Sequence, residues 1–320
     1  MEVQQTLTVC VTGAAGQIAY SFIPLLLSGQ VFGQVKINLR LLDIPKMETA
    51  LKGVVMEIED CAYPLIGDIQ TGSNPKELFK NCDLIVFLGG FPRLPGMERK
   101  DLLQKNANIF KEQGEALQEV GKDDVKCVVV ANPANTNCLI LSRYATKIPR
   151  QNFTCLTRLD QNRAYAQVAL ALNKPLNSLK NIIIWGNHST TQYPSIEHAT
   201  ADGQSFVLPD QGQFIERIQK RGAEVLNARG NSSVFSAANA VKDHIKDWFN
   251  GREDTLLSLG VLSNGEYGVQ SGLCFSYPIR CLGAFKYEIV GNLELSDFSK
   301  QKLKVTEEEL IQEQGLAESI

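Results

Sequence analysis

Three groups of residues in this chain have the types and spacing to do chemistry. The first is a single imidazole. Ile182-Ile-Ile-Trp-Gly-Asn-His188 sets four apolar residues, three of them β-branched, before Gly-Asn-His. That reads as a buried strand stopped by a turn, which delivers His188 to the end of a rigid element. The other two of the three histidines, His198 and His244, sit in ordinary polar stretches. An imidazole can take or give a proton near neutrality, so His188 is the first candidate for acid–base work. A strand-end histidine with only a structural hydrogen bond is the alternative. The second group is Asp160 and Arg163, three apart in Leu156-Thr-Arg-Leu-Asp-Gln-Asn-Arg-Ala164, at the start of an amphipathic helical pattern running to about 172. On a helix they share a face. Either they form a surface ion pair, or Asp160 orients the imidazole while Arg163 grips a carboxylate. The third group is Arg93 and Arg99 on Gly89-Gly-Phe-Pro-Arg-Leu-Pro-Gly-Met-Glu-Arg-Lys-Asp101, a Gly- and Pro-rich loop of the kind that can serve as a lid. Arginine forks suit carboxylates, and plain solvation of an exposed loop is the other reading.

The elements that must position these residues begin at the N-terminus. A β-rich run over 7–11 leads at once into Thr12-Gly-Ala-Ala-Gly-Gln-Ile-Ala19 and an apolar helical stretch through Leu27. In a strand–turn–helix context, Gly13 permits a tight turn and Gly16 lets the helix N-terminus meet a pyrophosphate. The small Ala19 lets helix and strand pack closely. The spacing is G-x-x-G-x-x-A, which a purely structural turn also satisfies. The next strand, Ile37-Asn-Leu-Arg-Leu-Leu-Asp43, ends in an acid about thirty residues after Gly13, where a second parallel strand places a carboxylate beside an adenosine ribose. Asp43 can accept bonds from both ribose hydroxyls and would repel a 2′-phosphate, which favours NAD over NADP. A helix cap is its alternative role.

The alternation continues with a helix over 49–61, strands over 68–71 and 83–88, a long helix over 99–120 and a strand over 125–130. Repeated β-α units with near-continuous apolar strands predict an α/β fold, a Rossmann-type doubly wound parallel sheet with helices on both faces. Ligands in such sheets lie at the carboxyl ends of the strands, where Gly89, Gly90 and residues 132–135 fall. The second half reads as helices over 213–229 and 233–248, strands over 256–261, 273–277 and 285–290, and a final helix from 306. This mixed order predicts an α+β substrate domain over 156–320 after a cofactor domain over 1–155. With no flexible linker between them, the joint near Cys155 should be packed, with the site in the cleft.

Composition narrows the partners. The chain has 320 residues, 44% hydrophobic and 21% charged, and is long enough for a sizeable core. A net charge of −3 provides no basic stripe for a nucleic acid. No stretch is apolar and long enough to span a bilayer, and Met1-Glu-Val-Gln-Gln-Thr6 has no signal-peptide pattern, so a cytoplasmic enzyme is expected. The eight cysteines include no C-x-x-C pair, and several lie in apolar runs, which predicts buried thiols, no disulfide and no metal site.

Taken together, Thr12-Gly-Ala-Ala-Gly-Gln-Ile-Ala-Tyr20, Gly96-Met-Glu-Arg-Lys-Asp-Leu-Leu103, Asn132-Pro-Ala-Asn-Thr-Asn-Cys138, Leu156-Thr-Arg-Leu-Asp160 and Ile184-Trp-Gly-Asn-His188 resemble the malate dehydrogenases, the cytosolic type most closely. The likeness runs from Thr12 almost to the C-terminus. The resemblance implies reversible hydride transfer between NAD and the C2 carbon of malate or oxaloacetate. It implies His188 as proton acceptor with Asp160 holding its tautomer, Arg163 on the C1 carboxylate, Arg99 polarising the C2 oxygen and Arg93 reading the distal carboxylate. Asn132 would contact substrate and nicotinamide. Gly13, Ala14, Ala15, Gly16, Gln17, Asp43, Asn106 and Gln113 match the family's NAD contacts. A homodimer is implied as well, through helices near 49–61 and 158–172. The chain departs from that type at Leu94-Pro95 and over 200–213, which reads as a surface excursion. A dehydrogenase for another 2-hydroxy acid such as lactate, and a non-catalytic NAD-binding protein, are the competing readings. Arg93 argues against the former, since a buried fork facing a methyl group would lose its charge partner. The complete catalytic set argues against the latter.

Overall fold

The computed structural model describes residues 5–92 and 99–318, the side chains of Arg99 and Glu318 excepted. Arg93, Leu94 and Pro95 lie outside the described residues. The first half contains β1 (Thr6–Thr12), α1 (Gln17–Leu27), β2 (Lys36–Leu42), α2 (Glu48–Asp60), β3 (Ile66–Gly72), α3 (Pro75–Leu78), β4 (Leu84–Phe87), α4 (Arg99–Val120), β5 (Lys126–Val129), α5 (Ala134–Tyr144) and β6 (Phe153–Cys155). The six strands are parallel in the order β3-β2-β1-β4-β5-β6. Chain order reverses between β1 and β4, which opens a ligand crevice at their carboxyl ends.

The apolar strands are explained by the two cores that they separate. Side chains of a strand alternate between faces. Val9, Val11, Leu84, Val86 and Val128 enter one buried cluster, while Cys10, Ile85, Phe87, Cys127 and Val129 enter the other. Each of the valine, leucine, isoleucine and phenylalanine side chains among them contributes roughly 1.5–3 kcal/mol on burial. An alternating apolar–polar strand would leave one helix layer without a seat.

The second half contains α6 (Arg158–Leu172), β7 (Leu179–Lys180), β8 (Ile183–Trp185), β9 (Tyr193–Ser195), β10 (Thr200–Ala201), β11 (Gln204–Ser205), α7 (Gln211–Arg229), α8 (Phe235–Asn250), β12 (Arg252–Leu262), β13 (Cys274–Gly283), β14 (Lys286–Ile289) and α9 (Asp297–Glu318). Its three long strands do not build a sheet of their own. β12 pairs antiparallel with β6, and β13 and β14 follow, so one nine-stranded sheet runs through both halves. The stretch expected as a surface excursion forms the short β10–β11 hairpin, which pairs with β7.

Three helices differ from the sequence reading, and one of them is the short α3, which was not expected. α5 follows Pro133 directly where no helix was expected. α9 begins at Asp297, nine residues before the expected start, with Ser296 Oγ accepting the Ser299 N–H at 3.2 Å as its N-cap. Its buried stripe is Ser299, Leu303, Thr306, Leu310 and Glu313, correctly spaced for a helix but more than half polar. Before residue 306 that stripe holds only Ser299 and Leu303, too little apolar pattern for hydrophobic periodicity to register.

Candidate active site

His188 stands where β8 ends, and the turn before it is set by Gly186. That glycine has φ +90°, and a Cβ there would lie 2.1 Å from Thr306 Cγ2, so no other residue fits. Gly186 exchanges two backbone hydrogen bonds with Ser276 of β13, at 3.1 and 3.0 Å. The first turn of α6 brings up Asp160, fully buried, whose Oδ2 is hydrogen-bonded to His188 Nδ1. Arg163 Nη1 donates to Asp160 Oδ1 at 3.1 Å, and its Nη2 donates to Ser233 Oγ at 3.1 Å. The ion pair is thus buried rather than on the surface.

The electrostatics of the pair follow from burial set against charge. Burial alone pushes the His188 pKa down, but the charge of Asp160 and its hydrogen bond outweigh this and leave the pKa above the usual 6.5, with Arg163 opposing. Burial pushes Asp160 up, and His188, Arg163 and Gln192 more than offset it, leaving the carboxyl below the usual 3.8. The result is an imidazole–carboxylate couple in which the protonated ring is favoured, beside an arginine. With Nδ1 engaged, Nε2 is the ring nitrogen left to exchange a proton with a bound molecule.

The glycine turn lies at the crevice between β1 and β4. Gly13 has φ +63°, and a Cβ on it would lie 2.6 Å from Gly89 Cα, so the two loops can meet only as glycines. Thr12 Oγ1 accepts the Gly89 N–H at 3.1 Å, fastening the junction. Buried Ala14 donates its N–H to Leu42 O at 3.2 Å. Asp43 accepts the Ala15 N–H at 2.9 Å on one oxygen and the Ile44 N–H at 2.8 Å on the other. Each carboxylate oxygen keeps capacity for a further donor. No side chain caps the first turn of α1, and Gly16 and Gln17 are exposed there. A cleft of about 500 Å³ opens at this end, lined by Gly13, Gly16, Gln17 and Leu88 on one side and by Arg229 and Ser232 on the other. An uncapped helix start, a closely approachable backbone and a strand-end carboxylate fit a dinucleotide.

The remaining expected residues are placed as follows. Asn132 is exposed at the end of β5, before a cis bond to Pro133. Asn106 is buried on α4: its Oδ1 accepts the Phe91 N–H at 2.8 Å, and its Nδ2 donates to Phe91 O and Leu102 O. It therefore holds the backbone where the arginine loop begins. Gln113 sits two turns further along α4, with Oε1 buried and lacking a hydrogen-bond partner among the described residues. Arg93 and the Arg99 side chain lie outside the described residues. His244, expected in a polar stretch, is fully buried, bonded through Nε2 to Thr154 Oγ1 at 3.0 Å, and burial together with Arg158 pushes its pKa down to about 3. Seven of the eight thiols are buried, and all eight are free. Among the described residues, no cluster of His, Cys, Asp or Glu is arranged to hold a metal.

Two residues shape the site in ways the sequence did not show, although Asn135 was marked there by its place at a strand end. Asn135 accepts the His188 N–H at 2.9 Å and donates to Gly186 O at 3.2 Å and to Cys274 O at 3.0 Å. Ser233 anchors Arg163 from the α7–α8 connection. Their partners are remote in sequence, so only the fold identifies them.

Residues 7–154 match the family model described as the lactate/malate dehydrogenase NAD-binding domain, and residues 157–319 match that of the lactate/malate dehydrogenase alpha/beta C-terminal domain. The chain is 47% identical to a cytoplasmic malate dehydrogenase of Rattus norvegicus, over 98% of this chain and 97% of that one. A malate dehydrogenase structure from Naegleria fowleri superposes with a TM-score of 0.96 at 39% identity, covering 99% of each chain. A lactate dehydrogenase of Trichomonas vaginalis in complex with NADH and oxamate superposes with a TM-score of 0.94 at 35% identity, covering 98% of each chain.

Proposed function

The chain belongs to the lactate/malate dehydrogenase family, and on that premise we propose that its site interconverts malate and oxaloacetate with NAD, in the cytoplasm. The observation that carries the assignment of the site is the buried Asp160–His188 couple with Arg163 at its side. In this reading residues 1–155 serve the cofactor and residues 156–320 the substrate.

Bound NAD supplies the hydride acceptor, and NADH the donor, at C2 of the substrate. His188 takes the hydroxyl proton during oxidation and returns it during reduction, and Asp160 fixes the tautomer and stabilises the imidazolium. Arg163 has five N–H donors, of which two are engaged by Asp160 and Ser233, leaving three for the C1 carboxylate. Oxaloacetate is a dianion, so a second fork is required, and Arg93 is assigned to the distal carboxylate. Arg99 is assigned to the C2 oxygen, where negative charge develops, and closure of its loop would expel water and strengthen these contacts. Gly13, Ala14, Ala15, Gly16 and Gln17 would form the turn against which the dinucleotide lies, with the uncapped start of α1 toward its pyrophosphate; Asp43 would take the ribose, and Asn132 the nicotinamide and substrate. Asn106 contributes by fixing Phe91, and Gln113 lies beyond it on the same helix.

The test is NADH oxidation followed optically with oxaloacetate or pyruvate as the second substrate. Strong preference for oxaloacetate is expected; preference for pyruvate would move the chain to the lactate branch of the family. We also propose a homodimer through α2 and α6, a reading supported by the exposed Met56 and Leu170 on those helices. A monomer mass in sedimentation at working concentration would remove it.

A further inference from the structure

The turn carrying His188 is held from two sides. Asn135 holds the main chain on the α5 side, as described above. From the opposite side α9 holds the residue in between. The Asn187 N–H donates to Thr306 Oγ1 at 2.8 Å, and its side-chain Nδ2 donates to Glu309 Oε2 at 3.0 Å and to Glu313 Oε1 at 3.2 Å. Glu309 Oε2 also accepts from Thr191 Oγ1 at 2.5 Å and from Ser189 Oγ, both on the segment just beyond His188. The other oxygen of Glu313 accepts from Thr136 Oγ1 of α5. Asn187 and Glu313 are each only 2% exposed.

Two carboxylates one helical turn apart thus converge on one amide. Glu313 is buried and Glu309 partly so; burying carboxylates is costly unless they are hydrogen-bonded, and packing α9 with apolar residues would secure it more simply. What a directed polar network adds is a defined register for the groups it binds. Here the group bound is the residue immediately before His188. Thr306 also closes on Gly186, so the turn cannot slide toward α9.

We propose that Asn187, gripped by Glu309 and Glu313, is a positioning residue for hydride transfer: it sets how far His188 projects toward the substrate oxygen. The proposal rests on His188 being the proton-transfer residue. A shift of about 1 Å at a reacting group can lower a rate about a hundredfold, so loss of the amide should act mainly on kcat.

The experiment uses the full-length enzyme in four forms besides wild type: Asn187→Ala, Asn187→Asp, Asn187→Asp with Glu313→Gln, and His188→Gln. NADH affinity is read by fluorescence, and kcat, KM for oxaloacetate and the isotope effect with NADH deuterated at the transferred position are read by kinetics. Asn187→Ala should lower kcat by about 30- to 100-fold, leave NADH affinity within about threefold, and raise the isotope effect as chemistry becomes limiting. Asn187→Asp sets a third carboxylate against two and should fail at least as badly. Adding Glu313→Gln returns the cluster to one amide and two carboxylates, with the amide now donating from α9, and should recover part of the loss, the contact with Glu309 staying without a donor. This isosteric pair decides the matter even if Asn187→Ala does not fold. The proposal is overturned by kcat within twofold of wild type in Asn187→Ala, by losses of kcat and NADH affinity in equal measure, or by absence of rescue. An active His188→Gln would instead overturn the underlying assignment of the histidine.

Discussion

Asp160→Asn removes one negative charge from the place where the imidazole proton is held. The size of the effect can be worked from the structure. Asp160 is fully buried and the His188 side chain only 20% exposed, so solvent screens the pair weakly. Unit charges about 4 Å apart at an effective dielectric constant of about 20 interact by about 4 kcal/mol, which corresponds to about 3 pKa units. The influences that remain after the substitution, burial and Arg163, both push the imidazole downward. The His188 pKa should therefore move from above 6.5 to well below it.

Reduction of oxaloacetate requires the imidazolium and fails above this pKa; oxidation of malate requires the neutral ring and fails below it. Comparing the two directions at one pH is uninformative. With cofactor affinity unchanged, their ratio is fixed by the equilibrium constant of the reaction, so both must fall by the same factor. The informative quantity is where the profiles break. The assay is kcat/KM in both directions at saturating cofactor, from about pH 5 to about pH 9, for wild type and Asp160→Asn. The break should fall by about 3 units, and the rate near neutrality on the order of a hundredfold or more. A break that stays in place, or moves upward, refutes the assignment of Asp160 as the carboxylate that holds the imidazolium.

Three further outcomes are expected. Arg93→Leu should lower kcat/KM for oxaloacetate on the order of a hundredfold and improve pyruvate, while Arg163→Leu damages both; equal losses in Arg93→Leu would show that this arginine does not read the distal carboxylate. NADH should be strongly preferred over NADPH, because Asp43 would face the 2′-phosphate with like charge at a cost of several kcal/mol, and comparable kcat/KM values would displace Asp43 from the ribose. The third concerns His244, whose folded pKa of about 3 lies below the ordinary 6.5. Its neutral form is the one buried, so stability is intact above 6.5 and falls as pH drops toward 3, by about 2 kcal/mol at about pH 5. His244→Gln should be less stable near neutrality but flatter with pH in urea unfolding, and parallel slopes for the two proteins would sink this account.

What the sequence made legible was chemistry confined to a few consecutive residues. A turn at the β1–α1 junction needs a left-handed residue and a close approach, so Gly13 announced itself, and a strand-end carboxylate announced Asp43. The same locality marked His188 at the end of β8 and the full extent of α4. Asp160 and Arg163 were visible as a helical pair, but whether the pair faced solvent or a buried imidazole depended on how α6 met β8. Asn106 entered only through family resemblance, and its engagement with Phe91 is a tertiary fact. The joining of β12 to β6 was hidden as well, because antiparallel strands late in the chain fit a separate sheet equally well.

The polar grip on the turn before His188 was hidden for a deeper reason. Periodicity detects a helix by the apolar face it buries, and α9 buries Ser299, Thr306 and Glu313 among its leucines. These residues face donors and acceptors contributed by residues more than a hundred positions earlier, such as Asn187 and Tyr193. Where a helix must only cover a core, apolar residues suffice and the sequence shows it. Where it must also hold a turn in register, hydrogen bonds are needed because dispersion contacts have no preferred direction. The helix could be read from residue 306, but the purpose of its buried polar residues Thr306 and Glu313 shows only once the turn before His188 is seen against them.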